Sequence, residues 1–298
     1  MQNTAIKESS GDRIFNGINY VVLIIFTLTV LYPLVFIVSA SFSSPEAVSA
    51  GKVWLYPINF SLEGYAAVFK HKMIATGFLN SIYYTVVGTI INLILTFMVA
   101  YPLSRKDFQA KNVIMALFVF TTLFSGGLIP SFLLVKELGM LDTRWALIIP
   151  GAVTVWNMIV SRTFFKVTFP DELLEAAQID GCSDFKFIWK IVLPLSGPII
   201  AVMSLFYAVA HWNTYFNALI YLKDQHLYPL QLVLREILIQ NQVDPAMLTD
   251  VSELASRAAL TDLLKYSLIV VSTIPIMIVY PFVQKHFVKG MMIGSLKG

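Results

Sequence analysis

The sequence predicts an all-α integral membrane protein with six membrane-spanning helices. Of its 298 residues, 57% are hydrophobic and only 13% are charged, whereas soluble domains carry about 25% charged residues. Six apolar stretches reach the length of about 20 residues that a helix needs to cross the hydrocarbon core of a bilayer. They are hydrophobic on all sides, while the strands of a membrane barrel would alternate over about 10 residues.

The predicted spans divide the chain into one membrane domain with two short tails. We place the spans at residues 14–41, 77–103, 113–135, 145–165, 197–222 and 263–283. Lysine and arginine are denser near the span ends on the side that would hold both termini and the loops around Arg105 and Glu175, which predicts that this side is cytoplasmic. The expected organisation is a cytoplasmic tail (1–13), a transmembrane domain (14–285) and a second cytoplasmic tail (286–298).

The first span has an alternative interpretation as a cleaved signal peptide. Val38-Ser39-Ala40 resembles a cleavage site, but the apolar run before it exceeds the usual length of about 7–15 residues, so we predict a retained helix. The external loops at 42–76 and 223–262 are expected to fold over the outer mouth, with short helices at 227–240 and 247–260.

The composition argues against several classes of function. The net charge of +3, without a basic run interleaved with aromatic residues, gives no reason to expect a nucleic-acid partner. A single cysteine, Cys182, and four scattered histidines offer no spacing for a metal site. No glycine-rich phosphate loop occurs, so the chain lacks a nucleotide site of that type. Ionisable residues are almost absent from the spans, which argues against a proton- or ion-coupled carrier.

The loop between the fourth and fifth spans begins with a short amphipathic helix. Pro170 suits its first turn. The negative charges of Asp171 and Glu172 in that turn would interact favourably with the positive end of the helix dipole. Glu175 lies three and four residues further and shares their face. Gly181 is a natural helix stop, because glycine readily adopts the left-handed conformation. The opposite face would be apolar and consists of Leu173, Leu174 and Ala177.

A second helix is predicted from its N-cap Ser183 to Val192. Its apolar stripe at i, i+3, i+4 and i+7 consists of Phe185, Ile188, Trp189 and Val192, and Pro194 ends the pattern. One interpretation is an interfacial helix that lies among lipid headgroups. Because acids would be repelled by an anionic leaflet, the acidic face at residues 171–175 instead indicates a groove on a protein partner.

Two spans carry stripes of small and polar residues, which predict helix-packing faces. In the second span the stripe is Gly77, Ser81, Thr85, Thr89, Asn92 and Thr96, and in the fifth it is Gly197, Ala201, Ser204, Ala208, His211 and Tyr215. The outer end of the fifth span mixes aromatic rings with hydrogen-bonding groups, a combination that suits a path for sugars. The path candidates are His211, Trp212, Asn213, Tyr215 and Asn217. An interfacial aromatic belt is the alternative explanation for the aromatic members.

The loop after the fourth span resembles that of a known family. Residues Glu175-Ala176-Ala177-Gln178-Ile179-Asp180-Gly181, followed by Ile191-Val192-Leu193-Pro194-Leu195 and Pro198, are similar to the EAA signature of permease subunits in maltose-type ATP-binding-cassette sugar importers. The C-terminal residues 287–298, Trp212-Asn213 and Tyr228-Pro229-Leu230 fit the same family. One departure is Cys182, where alanine is common.

The resemblance implies that the loop at 168–195 couples this chain to a cytoplasmic ATPase. The residues implied in coupling are Asp171, Glu172, Glu175, Ala176, Ala177, Asp180, Gly181 and Pro194. Glu175 would hold the coupling helix in place, and Gly181 would set the turn after it. The chain would have no catalytic residues, because ATP and Mg²⁺ would be bound by the partner ATPase.

The implied protein is a multi-pass subunit of the bacterial cytoplasmic (inner) membrane that forms half of a translocation pathway for a sugar or oligosaccharide. Its expected partners are a second homologous permease, an ABC ATPase dimer, an extracytoplasmic solute-binding protein and membrane lipids. Two alternatives are an importer of another small solute, such as an amino acid or peptide, and a non-transporting membrane scaffold. An intramembrane enzyme based on His211 lacks support from paired carboxylates, a nucleophile motif or metal spacing.

Overall fold

A computed structural model of the chain describes residues 9–70, 72–240, 259–278 and 280–281. These residues form helices and connecting turns without a strand. Together with the long apolar helices, this confirms the predicted all-α membrane fold class.

The helices are numbered here in chain order. They are α1 (Ser10–Ser41), α2 (Pro45–Ser49), α3 (Glu63–Lys70), α4 (Lys72–Ser104), α5 (Lys111–Leu123), α6 (Leu128–Glu137), α7 (Trp145–Ile148), α8 (Val155–Thr168), α9 (Asp171–Ile179), α10 (Asp184–Phe187), α11 (Leu193–Leu195), α12 (Gly197–Trp212), α13 (Phe216–Tyr221), α14 (Leu230–Gln240) and α15 (Ala259–Ile278). A π turn at Ile188–Val192 joins α10 to α11, and a 3₁₀ turn lies at Gln225–Leu227.

The first of two compact units contains residues up to Lys70 together with residues 259–272 of α15. Ser9 and Asp12 form a reciprocal capping box that starts α1. The apolar side chains of α1 are exposed over most of its length. Its last turn is buried, and there the hydroxyl of Ser41 lies 2.8 Å from that of Tyr65.

The second unit contains residues 72–239 and the end of α15. At its centre α4 packs against α8 and α12. The predicted stripe of the second span lies in this packing: Nδ2 of Asn92 is 3.0 Å from Nε2 of His211, and the hydroxyls of Thr96 and Tyr207 are 2.6 Å apart. Small and polar residues therefore occupy a helix contact, as the sequence predicted.

Three helices in the described residues are long and apolar enough to cross a membrane, namely α1, α4 and α15. Two bent pairs raise this number to five: α5 with α6, bent by 118°, and the 184–195 segment with α12, bent by 77°. The predicted fourth span at 145–165 is not one helix, because a turn separates α7 from α8. The predicted fifth span at 197–222 is interrupted between α12 and α13. The total of six spans remains a prediction.

The tails and external loops are described only in part. Helix α14 coincides with most of the helix predicted at 227–240, whereas most of the one predicted at 247–260 lies outside the described residues. Residues 1–8 of the first tail and the whole tail at 286–298 also lie outside them.

Candidate functional site

The predicted coupling helix is α9, and local chemistry fixes both of its ends. Pro170 is extended at the N-cap, one residue before the helix, so that Asp171 and Glu172 occupy the first turn. At the other end Gly181 has a φ of +73°. The amide of Cys182 donates to the carbonyl of Ala177 at 2.9 Å, which closes the end of the helix.

Helix α9 presents one buried and one exposed face. Leu174 and Ala177 are buried in an apolar cluster with Phe165, Phe169 and Phe187. The exposed residues on the other side are Glu172, Glu175, Ala176, Gln178, Ile179 and Asp180. Ile179 stands out among them, because 87% of this apolar residue is exposed in the described part of the chain.

Asp171 points away from that exposed face and is paired within the chain. Its Oδ1 lies 3.0 Å from Nη2 of Arg105, and its Oδ2 lies 2.9 Å from Nζ of Lys106. The Arg105 side chain is only 12% exposed, whereas that of Lys106 is 79% exposed. The loop between α4 and α5 therefore holds the first residue of α9. In the sequence Arg105 and Lys106 indicated only the orientation of the chain, and their pairing with Asp171 was not predicted.

The paired carboxylate has a lowered pKa. The hydrogen bond from Lys106 is the main cause, supported by the positive charge of Arg105 and opposed by burial. The same hydrogen bond raises the pKa of Lys106. The stabilisation from Asp171 is thus complete above the ordinary aspartate pKa of about 3.9 and is lost as the pH falls through the lower folded-state pKa.

The lowered pKa of Asp171 predicts how the stability of the chain depends on pH. We expect the difference in unfolding temperature between the wild-type chain and Asp171→Asn to stay constant from about pH 8 to about pH 5, and to narrow only near or below the ordinary pKa of about 3.9. Thermal unfolding of the detergent-purified proteins at each pH measures it. A difference that already shrinks between pH 6 and 5 contradicts the lowered pKa.

The second helix of the loop differs from its prediction. Ser183 caps it as expected and accepts from the amide of Lys186, but the helix winds into a π turn at Ile188. Phe185 and Trp189 are exposed, although the predicted stripe would bury them with Val192. Pro194 lies inside α11, and the chain turns into α12 only after Leu195.

A cavity of about 600 Å³ lies between this segment and α4. Its walls are Ile90, Leu93, Ile94, Phe97, Met98, Tyr101, Pro102, Phe165, Phe185, Ile188, Trp189, Val192, Leu193 and Ile200. Almost all of these side chains are apolar, so this cavity offers few hydrogen bonds to the hydroxyl groups of a sugar. It is not the predicted sugar path.

The candidates for the substrate path fall into two groups. His211 and Trp212 are buried, and Trp212 packs edge-on against Phe78 with 5.6 Å between ring centroids. The other three, Asn213, Tyr215 and Asn217, are exposed where the chain passes from α12 to α13. Within the described residues His211 and Trp212 pack between helices and the second group is exposed, and the substrate path itself stays a prediction.

The N-terminal end of α4 carries a second set of fixed contacts that sequence analysis missed. Nδ2 of Asn80 donates to the carbonyls of His226 and Tyr228, at 2.7 and 3.1 Å. The hydroxyl of Ser81 accepts from the amide of Leu230 at 2.8 Å. The hydroxyl of Tyr84 donates to the carbonyl of Leu227 at 2.8 Å. Residues 226–230 are thus bound directly to α4.

The conformation of Gly181 supports a prediction about the turn after α9. No atom lies within 4 Å of where a Cβ would stand, so a substitution acts on the backbone alone. A left-handed conformation costs an L-residue about 1–2 kcal/mol, while asparagine tolerates it better. We expect Gly181→Val to lower the unfolding temperature more than Gly181→Asn does. We also expect Gly181→Val to reduce solute uptake several-fold more than Gly181→Asn. Equal effects of the two variants, measured side by side, would rule out backbone strain as the reason for this glycine.

Known proteins are similar to this chain in sequence and in structure. A sequence profile for the family described as "Binding-protein-dependent transport system inner membrane component" matches residues 111–293. The polygalacturonan/rhamnogalacturonan transport system permease protein YtcP of Bacillus subtilis (strain 168) is 45% identical over 288 residues, which cover 96% of this chain and 99% of YtcP. The arabinooligosaccharides transport system permease protein AraQ of Halalkalibacterium halodurans is 27% identical over 90% of this chain and 91% of AraQ.

A solved structure gives the same result for the fold. One chain in the crystal structure of a bacterial ABC transporter involved in the import of the acidic polysaccharide alginate superposes with a TM-score of 0.87 and 35% sequence identity. The match covers 95% of the present chain and 100% of that one. The fold is therefore shared over most of the chain, including residues before 111 that the sequence profile does not reach.

Proposed function

Since the chain belongs to the family of binding-protein-dependent transport system inner membrane components, we propose that it is the permease subunit of an ATP-driven importer that carries an oligosaccharide. It forms half of the translocation pathway and pairs with a second, homologous permease. ATP and Mg²⁺ are bound by a separate ATPase dimer, and a solute-binding protein delivers the substrate from outside.

The exposed face of α9 is the observation that carries this proposal. The helix is anchored through Asp171, through the turn at Gly181 and through its buried side, while the residues of its outer face are exposed in the described part of the chain. That face combines three acids, Glu172, Glu175 and Asp180, with the exposed Ile179. An apolar side chain rimmed by charge is typical of a site that binds another protein. We assign its partner as the ATPase.

The assignment of α9 to the ATPase fixes the orientation of the chain. The α4–α5 loop and the α9 loop lie in the cytoplasm, together with both termini, and residues 223–230 lie on the outer side. The cytoplasmic tails are residues 1–13 and 286–298, and the transmembrane domain is residues 14–285 with its coupling loop at 168–195. The membrane is the cytoplasmic (inner) membrane of a bacterium.

The substrate class is proposed from the relatives. YtcP and AraQ are named for polygalacturonan/rhamnogalacturonan and arabinooligosaccharides, and the solved relative is involved in alginate import. Uronate-containing oligosaccharides are accordingly the first substrates to test. Within this chain the exposed groups Asn213, Tyr215 and Asn217 offer both hydrogen bonds and aromatic surface to such a ligand.

Two linked experiments test the proposed function. Tagged chain is purified from its native membrane in mild detergent, its companions are identified by mass spectrometry, and the recovered complex is reconstituted into proteoliposomes with its binding protein. We expect an ATPase and a second permease in the complex, and ATP-dependent uptake of labelled oligogalacturonate. Uptake of an amino acid or peptide instead would replace the substrate class, and a stable complex without any transport would favour a membrane scaffold.

A further inference from the structure

The cytoplasmic end of α4 is held by several cations at once. Arg105 and Lys106 bind Asp171 of α9, as described above. Nζ of Lys111 donates to the carbonyls of both Arg105 and Lys106, at 2.9 and 3.0 Å. From α8, Nε of Arg162 donates to the carbonyl of Leu103 at 2.8 Å. Cations at this position also complement the negative end of the α4 dipole. We call residues 103–106 with their partners Asp171, Lys111 and Arg162 the inner clasp.

The least exposed ion pair of the inner clasp joins Arg105 to Asp171. The Arg105 and Asp171 side chains are 12% and 21% exposed, so separating them costs more than breaking an exposed ion pair. Each has a second, more exposed partner, because Lys106 also binds Asp171 and Oδ1 of Asp107 lies 3.7 Å from Nε of Arg105. Lys106 is exposed to solvent, where an ion pair contributes little. A displacement of α9 therefore either carries Arg105 and the end of α4 with it or breaks a contact that is costly to break.

The other end of α4 is bound just as directly to the outer loop. Asn80, Ser81 and Tyr84 make the hydrogen bonds to residues 226–230 that are given above. Asn80 is 4% exposed and Ser81 is fully buried, so water does not compete for these bonds. We call this set the outer clasp.

Between the two clasps α4 is one unbroken helix. Its 33 residues give a length of about 50 Å. The other route along this unit is interrupted, because the segment at 184–195 meets α12 at a bend of 77° and α12 ends before α13 begins. A continuous helix transmits a displacement along its axis, whereas a break between helices can absorb it.

We propose that α4 acts as a rigid rod that transmits displacements between the outer loop at 226–230 and the coupling helix α9. It is attached to α9 through the Arg105–Asp171 ion pair and to the outer loop through Asn80 and Ser81. This inference rests on the proposed function and adds a named mechanical route to it. Arrival of the loaded binding protein at the outer loop shifts α4, and the inner clasp passes that shift to α9 and hence to the ATPase. Arg105 and Asn80 are positioning residues, since neither touches substrate or nucleotide.

The reconstituted importer with its binding protein allows a direct test. The quantity measured is the ratio of ATP hydrolysis with loaded binding protein to hydrolysis without it, for equal amounts of assembled complex. We expect Arg105→Ala and Asn80→Ala each to lower this ratio by about fivefold or more. The controls are Lys166→Ala, an exposed cation on α8, and Thr76→Ala, whose hydroxyl bonds to the carbonyl of Lys72 within α4. Both controls keep the wild-type ratio.

The double variant Arg105→Ala/Asn80→Ala separates one transmission route from two unrelated defects. Two breaks in one rod give a ratio no lower than the worse single variant, because the route is already cut. If the two substitutions caused independent defects, the double variant would lower the hydrolysis ratio by the product of the two single effects. A product of the two single effects, or a wild-type ratio in Arg105→Ala, overturns the proposal.

A charge exchange covers the case in which Arg105→Ala does not assemble. Arg105→Asp combined with Asp171→Arg restores an ion pair at the same place, and recovery of both assembly and the hydrolysis ratio supports the rod. Recovery of assembly without recovery of the ratio shows that the pair only holds the fold. A wild-type complex that is not stimulated by loaded binding protein contradicts the proposed function itself, whatever the variants do.

Discussion

Replacement of Gly88 by valine is expected to force α4 away from α12 and to remove most folded protein from the membrane. A Cβ at this position would lie 2.6 Å from Cε1 and 2.8 Å from Cδ2 of His211, and closer still to Nε2. The imidazole cannot easily yield, because it is buried and held by Asn92 at 3.0 Å. Overpacking of a core costs typically about 1–3 kcal/mol and occasionally more, and helices in lipid depend on this close approach.

Fluorescence-detected size-exclusion chromatography and thermal unfolding of the extracted protein measure the effect of Gly88→Val. Gly17→Val is the matched control, since no atom lies within 4 Å of a Cβ at Gly17 in α1. Gly88→Val/His211→Ala should recover much of the loss by opening the space that the ring occupies. A normal unfolding temperature for Gly88→Val would contradict the tight contact between the two helices.

Ile179→Asp is expected to detach the ATPase from this chain. Burial of an isoleucine against a partner contributes about 1.5–3 kcal/mol, which corresponds to roughly tenfold to hundredfold in affinity. An aspartate at that position loses this contribution and adds a fourth acid to Glu172, Glu175 and Asp180. Glu175→Lys, which reverses one charge of the same face, is expected to reduce both ATPase binding and uptake.

Quantitative mass spectrometry of the purified complex gives the ATPase recovered per chain for each of these variants. Leu138→Asp is the control, because Leu138 is also an exposed apolar residue but lies after α6, outside the α9 face. Wild-type recovery of the ATPase with Ile179→Asp would mean that the exposed face of α9 is not where the ATPase binds.

Local sequence signals predicted the helix α9 closely. Acids after Pro170, apolar residues on one side and a glycine at the end act within a few residues of one another, and the helix runs from Asp171 to Ile179 with Gly181 left-handed. The next helix was predicted less closely. A period of 3.6 residues placed Phe185 and Trp189 on one stripe with Val192, but the π turn inserts i→i+5 bonds and changes the phase, so that Phe187 is the residue buried together with Val192.

The clasps could not be predicted from local pattern, because they join residues that are distant in sequence. Arg105 pairs with Asp171, and Asn80 bonds to His226 and Tyr228. Hydrophobicity located α4 well but does not specify which loop its ends meet. Composition likewise located apolar stretches without revealing the 118° bend between α5 and α6, which lies next to Gly127 at a φ of +85°.

Helix α1 is longer than a bilayer requires. Its 32 residues extend for about 48 Å, whereas the hydrocarbon core is about 30 Å thick. A helix with surplus length adapts to membranes of different thickness by tilting, at a cost of only a fraction of a kcal/mol per Å of mismatch. The two ends of this helix are polar, with a capping box at Ser9–Asp12 and buried serines at the other end, so we expect both to lie outside the lipid tails. Lipids with acyl chains of several lengths should therefore accommodate this helix equally well in reconstituted vesicles.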